Sequence, residues 1–120
     1  MPSRDVAADL QRFEGGLGAD VVFAIEAFGA RVAMLKLAAG PPQLLLADHL
    51  QGERPVLVYR VAELEAAVGE LERRGVDPGP QLGIPHGPLH SFELDGGQRV
   101  AIYELTRPNA GDHLAGRRDF

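Results

Sequence analysis

The spacing of hydrophobic residues changes several times along this chain, and each change predicts an element. Val6, Leu10, Phe13 and Leu17 recur at helical intervals between Asp5, Asp9, Gln11, Arg12 and Glu14, which predicts an amphipathic helix. Ser3 or Asp5 is suited to cap its start, and Gly15, Gly16 and Gly18 to end it. Val21-Val22-Phe23-Ala24-Ile25 is β-branched and aromatic, so a strand follows. Phe28-Gly29 marks a tight turn, and residues 31–37 form the second strand of a hairpin with Glu26 opposite Arg31. Gly40-Pro41-Pro42 breaks the chain, and the apolar Gln43-Leu44-Leu45-Leu46-Ala47 is a short buried strand. A polar loop over 48–54 leads to a strand at 55–61. Residues 63–75 give the clearest helix, with Leu64, Ala67, Val68 and Leu71 as its apolar stripe. Residues 78–88 are irregular, with room for a short edge strand. Strands at 89–94 and 98–105 are joined at Asp95-Gly96-Gly97, a hairpin signal. The tail 106–120 is polar, with one helical turn over 112–115.

The order repeats. A shift of 58 positions carries Val6, Leu10 and Phe13 onto Leu64, Val68 and Leu71. It carries the strand that starts near Ala30 onto Pro88, and the strand that starts near Pro42 onto Val100. Two β-α-β-β-β units side by side predict an α+β fold: a curved mixed sheet with helices on one face and a trough on the other. Residues 1–50 form the first module, 51–105 the second and 106–120 a tail, together one structural domain.

Composition narrows the function. Twelve basic against seventeen acidic residues give a net charge of −5, which argues against nucleic acid as a partner. The absence of cysteine excludes disulfides, thiolate metal sites and a cysteine nucleophile. No apolar run approaches the ~18 residues of a membrane span, and no apolar signal segment follows Met1-Pro2-Ser3-Arg4-Asp5, so a cytoplasmic location is expected. Ser3 and Ser91 are the only serines and neither sits in Gly-x-Ser-x-Gly, which argues against a serine hydrolase. Gly15-Gly16-Leu17-Gly18 lacks the strand–loop–helix setting of a nucleotide loop.

The repeated unit resembles the vicinal oxygen chelate superfamily, which includes glyoxalase I, the bleomycin and fosfomycin resistance proteins and extradiol dioxygenases. The likeness rests on Val56-Leu57-Val58-Tyr59-Arg60-Val61 with Glu63-Leu64-Glu65-Ala66-Ala67, on Leu71-Glu72-Arg73-Arg74-Gly75-Val76, and on the final hairpin from Phe92 to Glu104. Arg12-Phe13-Glu14-Gly15-Gly16-Leu17-Gly18 is a weaker echo of the first-helix ending, and the likeness spans roughly residues 5–105. One fold of this kind hosts many reactions. The chain departs from the pattern twice. The first strand of module one is missing or reduced to a stub, since the helical pattern begins by residue 5. The resemblance also places metal ligands on the first, fourth, fifth and eighth strands. Here the fifth-strand position falls on Val56, the eighth on Ala101, and the fourth on Gln43, Leu44 or Leu45. Alkyl groups cannot ligate a cation and one Gln oxygen is far too little, so no metal and no other cofactor is expected there.

Strand alternation identifies what replaces the metal. If Ala101 faces the trough, Arg99 and Tyr103 do too, and by the same parity so do Val56, Val58 and Arg60. A two-residue turn at Gly96-Gly97 pairs Phe92 with Ala101 and His90 with Tyr103, which adds His90 and Phe92. His90 and Tyr103 are then either an acid–base pair or a plain cross-strand contact. Arg60 and Arg99 are either anchors for an anion or solvated strand ends, the latter suiting Arg99 beside the turn. His86, between Pro85 and Gly87, sits in a loop able to arch over the trough, or is an exposed loop residue. Asp48-His49 reads as a local turn pair, and Glu104 lies on the parity opposite the trough. The expected ligand site is therefore His90, Tyr103, Phe92, Arg60, Val58, Arg99 and His86. The leading expectation is a glyoxalase- or bleomycin-resistance-like protein that binds a small organic ligand without a metal, as a homodimer. One alternative is a metal-dependent lyase, isomerase or dioxygenase using His49, His86 or His90; another is an interaction module with a filled trough.

Overall fold

Asp5 opens the first helix in the computed structural model, which describes all 120 residues. Its side chain accepts the Ala8 amide at 3.0 Å and caps α1 (Val6–Gln11). Ser3, the other capping candidate, instead donates its hydroxyl to Asp9 at 2.7 Å. That bond, with Arg12 beside it, holds the Asp9 carboxyl below the ordinary aspartate range against the opposing effect of burial. After Gln11 the helix widens into a π-helical turn at Arg12–Gly16. The wider turn changes the phase of the apolar stripe, so Leu17, expected on the buried face, is 65% exposed.

The chain forms two compact units, Met1–Glu53 with Asp112–Phe120, and Arg54–Gly111. In the first, β1 (Asp20–Ala27), β2 (Ala30–Lys36) and β3 (Gln43–Ala47) form an antiparallel sheet in that order. Phe28 and Gly29, at φ of 53° and 75°, make the two-residue turn whose left-handed residues match the strand twist. Glu26 faces Arg31 as expected, 2.8 Å from its Nε. Residues 1–3 run parallel to β3, with Ser3 N–H bonded to Ala47 O at 3.0 Å and Ala47 N–H to Met1 O at 3.1 Å. That stub stands where the module's first strand is expected. Val6 and Leu10 of α1 pack on Ala24, Ala33, Leu35 and Leu46, one face of the sheet. Phe13, Val21, Leu44 and Phe120 close around this core.

In the second unit, β4 (Val56–Val61), α2 (Leu64–Arg73), β5 (Gln81–Ile84), β6 (Gly87–Glu93) and β7 (Arg99–Glu104) form a four-stranded sheet ordered β4-β7-β6-β5. β4 runs parallel to β7 and the other pairs are antiparallel. This is one β-α-β-β-β module, and the first unit repeats its order with the stub as leading strand. α2 lies against β6 and β7. Glu63 precedes it without a side-chain cap; the carboxylate of Glu104 reaches across to accept the Leu64 amide at 2.9 Å. At the other end Gly75, at φ 82°, lets Val76 N–H turn back to Leu71 O at 2.9 Å. No helix is long and apolar enough to cross a membrane.

The tail does not trail away. After a short 3-10 turn (Asp112–Leu114) it runs beside β1 in the first unit, with a parallel bridge between Ala24 and Arg118.

Candidate functional site

The pairing registers define both faces of the second sheet residue by residue. β4 and β7 match Val56 to Arg99, Val58 to Ala101 and Arg60 to Tyr103. β6 continues these rows with Glu93 opposite Arg99, Ser91 opposite Ala101 and Leu89 opposite Tyr103, and β5 adds Leu82 beside Leu89. Glu104, which caps α2, lies on the other parity, so these rows form the face turned away from the helix. Val58, on the edge strand β4, is 52% exposed, while its neighbour Ala101 on β7 is 2% exposed. Around them stand Leu89, Ser91 and Tyr103, with Arg60 at one margin and Arg99 and Glu93 at the other. An open depression of about 270 Å³ lies at the Arg99 end, with Val56, Pro80 and Ser91 in its lining. A wider one of about 500 Å³ lies where β5 meets β6, lined by Leu82, Gly83, Pro88, Thr106 and Arg107 among others.

Val58, Arg60, Arg99 and Tyr103 thus share the face that strand parity assigns them. His90 and Phe92 do not. His90 pairs with Ile102 and Phe92 with Val100, which puts both on the α2 side. The cause is the loop. Leu94 N–H bonds Gln98 O at 2.9 Å, so Asp95, Gly96 and Gly97 make a three-residue turn with Gly97 at φ 77°. One residue more than the expected turn moves every β6 side chain to the opposite face. The sequence holds a signal for this register: it sets Glu93 opposite Arg99, a favourable cross-strand charge pair, where the shorter turn sets Leu94 there. His90 Nδ1 donates to the Gly79 carbonyl at 3.1 Å, a role in holding the segment before β5. Ser91 and Leu89, which the shorter turn would bury under α2, take their places.

Arg99 also has local structural work. It donates to Arg54 O at 3.0 Å, and Arg54 donates to Gly96 O at 2.8 Å, which ties the start of β4 to the hairpin loop. Arg60 is exposed and makes no hydrogen bond or ion pair. The Tyr103 hydroxyl likewise has no protein partner. His86 lies in the tight turn between β5 and β6, not in a long loop. That turn is pinned by Arg107, whose guanidinium donates to Pro85 O at 2.7 Å and Ile84 O at 2.8 Å.

The donor set does not fit a metal ion. Val56 and Ala101, the positions to which the resemblance would assign two ligands, carry alkyl side chains, and Ser91, opposite Ala101, offers one hydroxyl. In the first unit Gln43 and Leu45 are exposed and Leu44 packs on the core. No group of three or more His, Asp or Glu side chains is placed to hold an ion anywhere in the chain.

Neither a protein-family model nor a curated protein matches the chain by sequence. Solved structures do match. Methylmalonyl-CoA epimerase from Mycobacterium tuberculosis superposes with a TM-score of 0.72 at 18% identity, over 92% of this chain and 87% of that one. A second methylmalonyl-CoA epimerase gives a TM-score of 0.67 at 16% identity, over 88% of this chain and 91% of that one. With the paired β-α-β-β-β order, these superpositions define the class: the chain has the vicinal oxygen chelate fold.

Proposed function

We propose that this protein binds a small organic molecule on the open face of its second sheet without the metal ion that enzymes of the fold employ. The observation that carries the reading is the alkyl pair Val56 and Ala101 at the ligand positions, with Val58 between them. Such a surface offers apolar contact where a cation would need donors. Polar groups at its margin give it selectivity: the Tyr103 hydroxyl, the Ser91 hydroxyl and the Arg60 guanidinium, a fork suited to a carboxylate or other oxyanion. The ligand is therefore an organic anion with an apolar body. His90 and Phe92 pair on the α2 side and His86 lies in the β5–β6 turn, so this reading rests the contacts on the side chains of the open face.

The test uses protein purified without chelators. Elemental analysis is expected to find divalent metal far below one equivalent. A thermal-shift panel of aromatic and branched aliphatic carboxylates is expected to contain stabilising compounds whose effect persists in EDTA. Tyr103→Phe and Arg60→Ala should each weaken such a compound about fivefold, the loss of one hydrogen bond worth ~1 kcal/mol. One equivalent of bound metal, or ligand stabilisation abolished by EDTA, would refute the proposal.

A homodimer belongs to the same reading. β4 pairs on one side only, yet Leu57, Val58 and Tyr59 are all about half exposed on it. An apolar strand with an open edge is a surface that a second subunit covers. Sedimentation at micromolar concentration checks this, and a stable monomer would overturn it.

A further inference from the structure

We infer that the outer edge of β1 is a docking groove for the segment Asp112–Phe120, filled here by the chain's own copy and able to take the same segment from a second copy of the chain. The groove is built from unpaired backbone. β1 ends the sheet order, and the segment supplies its missing partners. Gly116 N–H donates to Val22 O at 2.8 Å, Ala24 N–H to Arg117 O at 2.9 Å, and Asp119 N–H to Ala24 O at 2.7 Å. The Asp119 carboxylate then accepts Glu26 N–H at 2.9 Å. This is strand addition, in which backbone bonds supply adhesion and side chains supply choice.

The side chains here choose by charge and by shape. Arg118 donates to both carboxylate oxygens of Glu14, at 2.8 and 2.7 Å. Phe120 packs against the core of the first unit, with the Arg31 guanidinium 5.3 Å above its ring. Arg117 folds back onto Asp119, at 3.0 and 2.8 Å, which shapes the segment itself.

The ion pair adds little to this attachment. The Arg118–Glu14 pair is about half exposed on both sides, and such pairs in water hold weakly. Between Arg107, bound to the β5–β6 turn, and Asp112 lie only residues 108–111, which include Pro108 and Gly111. If this link swings, the segment leaves one groove and can enter an identical one. A reciprocal exchange between two chains re-forms the same backbone bonds, ion pair and ring packing, so only concentration and the link decide between the closed and exchanged forms.

Charge reversal in the full chain tests this independently of ligand binding. In Arg118→Glu the segment faces a like charge at Glu14; in Glu14→Arg it faces a like charge at Arg118. Each variant alone is expected to lower amide-exchange protection at Ala24 and Glu26 several-fold while Leu35 stays protected. An equal mixture presents complementary pairs only between chains. It is expected to restore protection at Ala24 and Glu26 in both chains and to form a one-to-one complex. The double variant Glu14→Arg with Arg118→Glu should close on itself and regain protection without mixing. Singles that keep their protection, or a mixture that behaves as the sum of its parts, would overturn the inference. A second measurement needs no variant: a peptide of residues 112–120 titrated into isotope-labelled wild-type chain. Displaced signals at Glu14, Arg31 and residues 22–26 support the groove, and none at millimolar peptide overturns it.

Discussion

Glu104 is an acidic residue at the end of β7, in a fold whose enzymes hold a metal through side chains of that strand. Here its carboxylate faces away from the open sheet surface and accepts the Leu64 amide at 2.9 Å. Leu64 is buried at the first turn of α2 and this bond is partly buried, so water replaces a missing acceptor only incompletely. Glu104→Ala should therefore cost about 1–2 kcal/mol, the range both for a deleted helix cap and for a buried amide left unsatisfied. In a chain of this length that corresponds to a fall in Tm of roughly 5 °C. Glu104→Gln keeps an oxygen in place and loses only the favourable charge at the helix N-terminus, about 0.3–1 kcal/mol. Urea unfolding followed by circular dichroism measures both variants. Neither should change how added zinc, nickel or manganese affects stability. Equal costs for the two variants, or a metal-induced stabilisation that vanishes in Glu104→Gln, would show that the carboxylate serves an ion rather than a helix.

Other expectations follow from packing and charge. Leu35→Ala empties a fully buried site in the first unit's core and should cost about 2–5 kcal/mol by chemical denaturation. Gly87→Ala should destabilise the second unit by at least about 2 kcal/mol, because the residue sits at φ 154° and a Cβ there overlaps the Glu104 carbonyl oxygen. Acid should release the segment Asp112–Phe120. Hydrogen bonds from Arg118 to Glu14, and from Arg117 to Asp119, hold both carboxyls below their ordinary ranges. A lowered folded-state pKa gives stability that is fully present above the unfolded value and lost as pH falls through the folded one. The Phe120 ring resonances should therefore change as pH drops below the ordinary carboxylate range, and earlier in high salt. Constant resonances down to the pH of global unfolding would contradict this.

Periodicity and turn chemistry carry most of the fold. Phe28-Gly29 sets the register of the β1–β2 hairpin, and Glu26 meets Arg31 because a two-residue turn leaves no other choice. The helical stripe of α2 and the 58-residue repeat locate the second module. What the sequence does not disclose comes down to single residues and long separations. Asp95-Gly96-Gly97 suits a two- or a three-residue turn, and that one-residue difference decides whether His90 and Phe92 or Leu89 and Ser91 face a ligand. Gly15 and Gly16 announce a helix end but not a π-helical turn, so a regular stripe puts Leu17 on the wrong face. Nothing local in Gly116-Arg117-Arg118-Asp119-Phe120 says that it pairs with β1, because its partners lie some ninety residues earlier. The alkyl groups at Val56 and Ala101, by contrast, are legible at once, since they require only identity and strand position.

The second unit is inserted between Glu53 and Asp112 of the first, and that order has a consequence during biosynthesis. A ribosome adding 5–20 residues per second needs roughly 3–12 s to make the intervening stretch. Throughout that interval the nascent first unit carries Ala24 and Glu26 with no mate for their amides. Neighbouring ribosomes on one message would hold many such chains at close quarters, each waiting for residues 112–120.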